Sequence, residues 1–84
     1  MKNMENNLLK RITINPEICH GKPTIRNTRY MVVGILEYLA GGDSIETILE
    51  EFPELEKEDI LACLHYSLAV MKLKTVNFTV NSTR

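Results

Sequence analysis

The sequence contains no long apolar segment and only two cysteines. No apolar run reaches the roughly 18 residues that cross a bilayer, which argues against a membrane-spanning helix. The N-terminal run MKNMENNLLKR also lacks the apolar segment of a signal peptide. We therefore expect a cytoplasmic protein in which Cys19 and Cys63 are reduced thiols.

A phosphate-binding loop is excluded by the spacing around Gly21 and Lys22. That motif requires a glycine five residues before the Gly-Lys pair and a hydroxyl residue after it. The sequence has Pro16 and Pro23 at those two positions. The pair therefore predicts a turn and not a nucleotide site.

Metal and nucleophile chemistry is poorly supported by the remaining reactive side chains, which are Cys19, His20, Cys63 and His65. Cys63 and His65 lie two residues apart on a predicted helix, so their side chains point in different directions. Cys19 has a neighbouring histidine but no evident orienting acid or oxyanion donor. We therefore predict no catalytic residue, no metal site and no cofactor, and a protein that is not an enzyme.

The net charge of −1 conceals an uneven distribution of charge along the chain. Residues 1–30 carry a net +4, residues 31–71 a net −8 and residues 72–84 a net +3. A phosphate-binding surface must therefore lie near the ends of the chain. For Arg29 an ion pair or a cap on the acidic helices is an equal alternative. The candidates for binding nucleic acid or a partner protein are Lys10, Arg11, Lys22, Arg26 and Arg29.

The fold class that the patterns predict is mainly α, with a short β-hairpin before three helices. Alternation over 11–14 and the run 24–26 predict the two strands, separated by turn residues. We expect a flexible N-terminus over 1–10, one domain over 11–73 and a tail over 74–84. The alternating tail is either a C-terminal strand or a disordered end, and both remain open.

Three apolar stripes at helical spacing follow Met31. Gly41-Gly42 ends the first predicted helix, and Pro53 ends the second, which Asp43 or Ser44 caps. The third helix spans about Lys57 to Leu73. Short turns between the three favour a helix-turn-helix, homeodomain-like arrangement. The predicted core stripe of the third helix is Ile60, Leu61, Leu64, Leu68 and Met71.

The third predicted helix is a poor reader of DNA. Its first turn is acidic and would repel phosphates, and its outer face lacks Arg, Asn and Gln. A second stripe on this helix contains small or apolar residues and suits close packing, within the fold or across a dimer two-fold. This candidate homodimer interface is Ala62, Tyr66, Ala69 and Leu73.

The run PEICHGKPTIRNTR over 16–29 resembles the signature of the domain-of-unknown-function 433 family. The resemblance continues through Gly42-Asp43-Ser44, ILEEFP over 48–53 and Asp59-Ile60. It implies a homeodomain-like or winged-helix-like fold after a β-hairpin. It also implies an antitoxin role beside a small PIN-like ribonuclease toxin, with no catalytic residues. Asn27 departs from the family, which usually has glycine there.

The first hypothesis is a non-enzymatic, antitoxin-like protein, dimeric, that binds and neutralises a partner ribonuclease-type toxin. It includes binding of its own operator DNA. The alternatives are a stand-alone DNA-binding transcriptional regulator and a structural dimerisation module without nucleic acid.

Overall fold

A computed structural model of the chain describes the backbone of residues 7–82 and the side chains of residues 7–73. Most of the predicted flexible N-terminus and the last two residues of the tail lie outside the described residues. Residues 7–9 are helical, and Leu8 among them is buried. A two-stranded hairpin and three longer helices follow.

The hairpin consists of β1 (Ile12–Thr13) and β2 (Thr24–Ile25), which pair antiparallel. Ile12 lies opposite Ile25 and Thr13 opposite Thr24. The threonine hydroxyls lie 3.3 Å apart, so fully buried Thr24 has a polar partner. The short hairpin that the sequence predicts is therefore confirmed.

The helices are α1 (Val32–Ala40), α2 (Ile45–Glu51) and α3 (Lys57–Ser82). Ser44 caps α2, because its hydroxyl oxygen accepts a hydrogen bond from the backbone N–H of Thr47 at 3.1 Å. The domain is therefore small and mainly helical. No helix in the described part of the chain has the length and apolar character needed to cross a bilayer.

The hydrophobic core lies where β2 and the three helices meet. The side chains of Tyr30 and Tyr38 both pack edge-on against Phe52 at the border of this core, with ring centroids 5.4 Å apart. The buried residues of the core cluster are Ile25, Val32, Ile35, Ile48, Leu55, Ile60 and Cys63.

The predicted core stripe of α3 is wrong beyond its first turn. Leu64, Leu68 and Met71 are 36%, 55% and 52% exposed, whereas Ile60 and Cys63 are fully buried. The physical reason is that α3 has apolar residues on two faces, and helical spacing alone does not say which face meets the core.

Of the two alternatives left open for the tail, the C-terminal strand is wrong, because the backbone of α3 is helical as far as Ser82. The alternation of residues 75–80 does not decide the structure. No glycine or proline follows Lys57 in the sequence, and adding a residue to an existing helix costs far less than starting one.

Candidate functional site

The end of the hairpin is a tight turn that aims Arg26 at α3. Arg26 and Asn27 have φ angles of 47° and 57°, and the N–H of Thr28 donates to the carbonyl oxygen of Ile25 at 2.8 Å. Two successive positive φ angles are the mark of a type I′ turn. Asn tolerates this left-handed region well, whereas Arg rarely adopts it. The turn therefore holds Arg26 in a costly backbone conformation.

The guanidinium group of Arg26 binds the carboxylate of Asp59, whose side chain is fully buried. Arg26 Nε lies 3.0 Å from Oδ1 of Asp59, and Nη2 lies 2.6 Å from Oδ2. Arg11 Nη1 donates to the same Oδ1 at 3.0 Å and to Glu56 Oε1 at 2.8 Å. The backbone N–H of Glu56 completes the set with a bond to Asp59 Oδ2 at 2.8 Å. We call these four residues the Asp59 cluster.

The Asp59 cluster keeps a buried carboxylate charged. Burial alone would raise the pKa of Asp59, but the hydrogen bonds from Arg26, from the backbone of Glu56 and from Arg11 outweigh it and leave that pKa below its ordinary value. The contact from Glu56 is half of a capping box, because Asp59 reaches back to the residue that caps α3. The cluster thus joins the hairpin to the start of α3.

The five predicted binding cations therefore separate into two sets. Arg11 and Arg26 belong to the Asp59 cluster, although their side chains are still 29% and 40% exposed. Lys10, Lys22 and Arg29 are exposed, and none of them forms an ion pair with any side chain in the described range 7–73. Of the five predicted cations, these three are therefore the ones open to an anionic partner.

An apolar cleft of about 420 Å³ lies between the hairpin, the start of α1 and the middle of α3. Lys22 lines one side of it, and Val33 is 50% exposed on another. Sites for small polar metabolites usually contain several convergent polar groups, which this cleft has few of. It suits apolar side chains of another macromolecule. Its apolar lining is Pro23, Val32, Val33, Leu36, Tyr66, Val70 and Met71.

The predicted dimer residues on α3 separate into buried and exposed positions. Ala62 is fully buried in the core of its own chain, and Tyr66 packs against the core cluster from a half-buried position. Ala69 is exposed and Leu73 is 85% exposed. The structure thus does not bring the four residues together on one free surface.

The two cysteines differ in how deeply they are buried, and neither belongs to a metal-binding group in the described range 7–73. Among the described residues no group of three or more His, Cys, Asp or Glu side chains is placed to hold a metal ion. Cys63 is fully buried, and burial raises the pKa of its thiol to about 12, with the nearby charge of Asp59 adding to the effect. Cys19 is half buried, and its Sγ lies 3.8 Å from the carbonyl oxygen of Arg29.

Comparison with known proteins gives the family of this chain. The profile of the family described as "Protein of unknown function (DUF433)" matches residues 12–67. The chain belongs to the DUF433 family. The matched DUF433 region includes the hairpin, α1, α2 and the Asp59 cluster except for Arg11, which precedes it.

The chain is also similar to a curated protein and to a solved structure. A curated relative, "Uncharacterized protein y4eO" of Sinorhizobium fredii, is 36% identical over 58 residues, which are 69% of this chain and 26% of that protein. The chain thus spans about a quarter of the length of that relative. The crystal structure of a DUF433 member from Anabaena variabilis is similar with a TM-score of 0.70 and 29% identity, covering 93% of this chain and 77% of that one.

Sequence reasoning missed Asp59 as the centre of this DUF433 domain. The acidic residue three positions after Glu56 is a local signal for a capping box. No local signal links Asp59 to Arg11 and Arg26, which lie 48 and 33 residues earlier in the chain. The prediction treated the two arginines as free cations for that reason.

Proposed function

We propose that this chain is a non-enzymatic, antitoxin-like protein that binds and neutralises a partner ribonuclease-type toxin of the PIN-like kind. The observation that carries this proposal is the apolar cleft with exposed Lys22 on its side. An apolar groove with a charged rim is a common docking surface for a helix of another protein.

The exposed cations supply the second contact. A ribonuclease of the PIN type has an acidic metal-binding pocket, and a lysine or arginine that enters such a pocket opposes metal binding by charge. Lys22 and Arg29 are available for this role because no described acidic side chain pairs with them. Arg11 and Arg26 are less suited to it, because moving them would leave the buried Asp59 carboxylate without its partners.

Co-expression with the product of the adjacent open reading frame tests the proposal. We expect the neighbour to be toxic alone, harmless with this chain, and to co-purify with it. A neighbour that is neither toxic nor retained on the tagged chain contradicts the antitoxin role.

Two variants locate the contact. We expect Lys22→Ala and Arg29→Ala together to weaken co-purification and neutralisation while the thermal midpoint of the chain stays unchanged. The matched control is Lys57→Ala, which removes an exposed cation at the start of α3 that does not belong to the five predicted binding cations. Equal loss in the control would show a general charge effect and not a site.

Operator DNA is a second candidate ligand. The hairpin and its flanks present Lys10, Lys22 and Arg29 as exposed cations, while the start of α3 is acidic. We propose that α2 and α3 form a homeodomain-like helix-turn-helix unit in which the hairpin side, and not α3, contacts the phosphates. Anisotropy titrations with upstream DNA should then show an affinity that falls with salt, with a slope reduced by about one for each cation removed. Binding that ignores salt contradicts this reading.

A further inference from the structure

One face of α3 points away from the core and is open to solvent over much of the described part of the helix. Leu61, Leu64 and Leu68 lie on it at helical spacing, and the latter two are 36% and 55% exposed. Half-exposed Met71 follows at the next position of the same face. We call Leu61, Leu64 and Leu68 the leucine face. It lies more than a quarter turn away from Cys63, which marks the core side of α3.

We infer that the leucine face binds a second copy of this chain, with the two α3 helices packed antiparallel about a two-fold axis. The inference is independent of the proposed function, because it needs neither a toxin nor DNA. Spacings of three, four and three residues from Leu61 to Met71 are those of a coiled-coil seam. A two-fold axis between Leu64 and Leu68 sets Leu64 of one copy against Leu68 of the other. The two equivalent Leu64–Leu68 contacts are then both buried from solvent when the copies associate.

The charges beside the leucine face favour antiparallel over parallel packing of the two α3 helices. Glu58 and Lys72 are both exposed, lie on the same flank of the leucine face, and are about 21 Å apart along α3 at roughly 1.5 Å per residue. In an antiparallel pair the Glu58 of each copy comes near the Lys72 of the other, on both sides of the axis. In a parallel pair the equal flanks of the two helices lie on opposite sides of the seam, so Glu58 of one copy would meet no Lys72 of the other. Only the antiparallel pair is complementary in charge.

The same asymmetry favours a second copy over an unrelated partner. The start of α3 carries exposed Glu58, whereas its later part carries exposed Lys72. One helix thus supplies both halves of the complementary surface, with the leucines between them. A small domain of this size also gains much of its stability by burying such a face on association.

Sedimentation equilibrium of the full chain tests the pairing. We expect the mass to rise from 9.6 kDa to about twice that value as the concentration rises from about 5 to 500 µM. Leu68→Glu should weaken association about hundredfold, because the seam centre would then hold two unpaired carboxylates. Leu68 is more than half exposed, so folding should survive, which far-UV circular dichroism checks.

The control is Leu73→Glu, the same substitution about 140° around α3 from Leu68 and outside the leucine face. It should leave association unchanged. Loss of dimer in Leu73→Glu with none in Leu68→Glu would assign the interface to the Ala69 and Leu73 side and overturn this inference. A wild-type chain that stays a monomer throughout overturns it as well, and leaves the leucine face to another protein.

Charge reversal tests the antiparallel direction. Glu58→Lys and Lys72→Glu should each weaken self-association about three- to tenfold, because each creates two like-charge pairs. The double variant should regain wild-type association. A mixture of the two single variants should form a heterodimer in preference to either homodimer. A double variant that associates no better than the singles contradicts the antiparallel pair.

Discussion

Arg26 binds Asp59 with two of its guanidinium nitrogens, at 3.0 Å and 2.6 Å, although 33 residues separate the two in sequence. The third guanidinium contact goes to the backbone carbonyl oxygen of Glu54 at 3.1 Å. Asp59 is fully buried, so its charge depends on these donors and on Arg11. The pair ties the turn that follows β2 to the start of α3 and makes Asp59 a structural residue.

Replacing Asp59 by Asn should destabilise the domain by about 3 kcal/mol. This value is near the lower end for breaking a buried ion pair, because the two arginines left without Asp59 can still reach solvent. The amide cannot accept a forked guanidinium through both of its atoms. Urea unfolding followed by circular dichroism measures the loss. Glu50→Gln, an exposed acid on α2, is the control and should stay within about 0.5 kcal/mol of wild type. Equal stability of wild type and Asp59→Asn contradicts the structural role.

The stability that Asp59 supplies should disappear in acid. In the folded chain the pKa of Asp59 lies below its ordinary value of 3.8. The stability that Asp59 contributes is therefore fully present above the pKa that this group has in the unfolded chain. It is lost as the pH falls through the pKa of the folded state. The wild-type advantage over Asp59→Asn should be constant from about pH 7 to pH 5 and shrink below about pH 4. Urea midpoints of both proteins from pH 6 to pH 2 measure it. Carboxylates common to both cancel in the difference, so an advantage that does not shrink between pH 4 and pH 2 is inconsistent with this linkage.

The elements of the fold were largely predictable because their signals are local. Gly41-Gly42, Ser44 and Pro53 end or begin helices by backbone chemistry that depends only on neighbouring residues. The structure confirms α1 and α2 between those signals. Which face of α3 is buried was not predictable, because the leucine face is as apolar as the face that carries Cys63.

The candidate site was only partly predictable for a related reason. Composition identified a basic hairpin region, and Lys10, Lys22 and Arg29 are exposed there. Which cations are engaged within the fold depends on contacts between residues far apart in sequence, and Arg11 and Arg26 were assigned to a partner without that knowledge. The sequence around a basic residue does not show whether its side chain is paired within the fold or exposed to solvent.

The left-handed position of Asn27 should discriminate between glycine and alanine. With a φ of 57°, alanine at this position should make the domain about 1 kcal/mol less stable than glycine does, because Cβ crowds the following carbonyl oxygen and alanine lacks the polar group with which asparagine offsets that crowding. Asn27→Gly should stay within about 0.5 kcal/mol of wild type, since glycine is the preferred residue here in a type I′ turn. Both variants keep the backbone bond from Asn27 N–H to Thr13 Oγ1. Urea unfolding compares them, and alanine as stable as glycine rules out a strained turn.

The two thiols should differ strongly in reactivity towards a disulfide reagent at pH 8. The pKa of about 12 leaves roughly one Cys63 in 10⁴ as thiolate, and full burial blocks the reagent as well. Native protein should therefore release one thiol equivalent quickly, from Cys19, and the second only on opening of the core. Cys19→Ser should abolish the fast phase. In Asp59→Asn the slow phase should accelerate about a hundredfold, because labelling of Cys63 then follows the free energy of unfolding that the Asp59 cluster contributes. If Cys63 is labelled at the same slow rate in wild type and in Asp59→Asn, opening of the core does not depend on the Asp59 cluster.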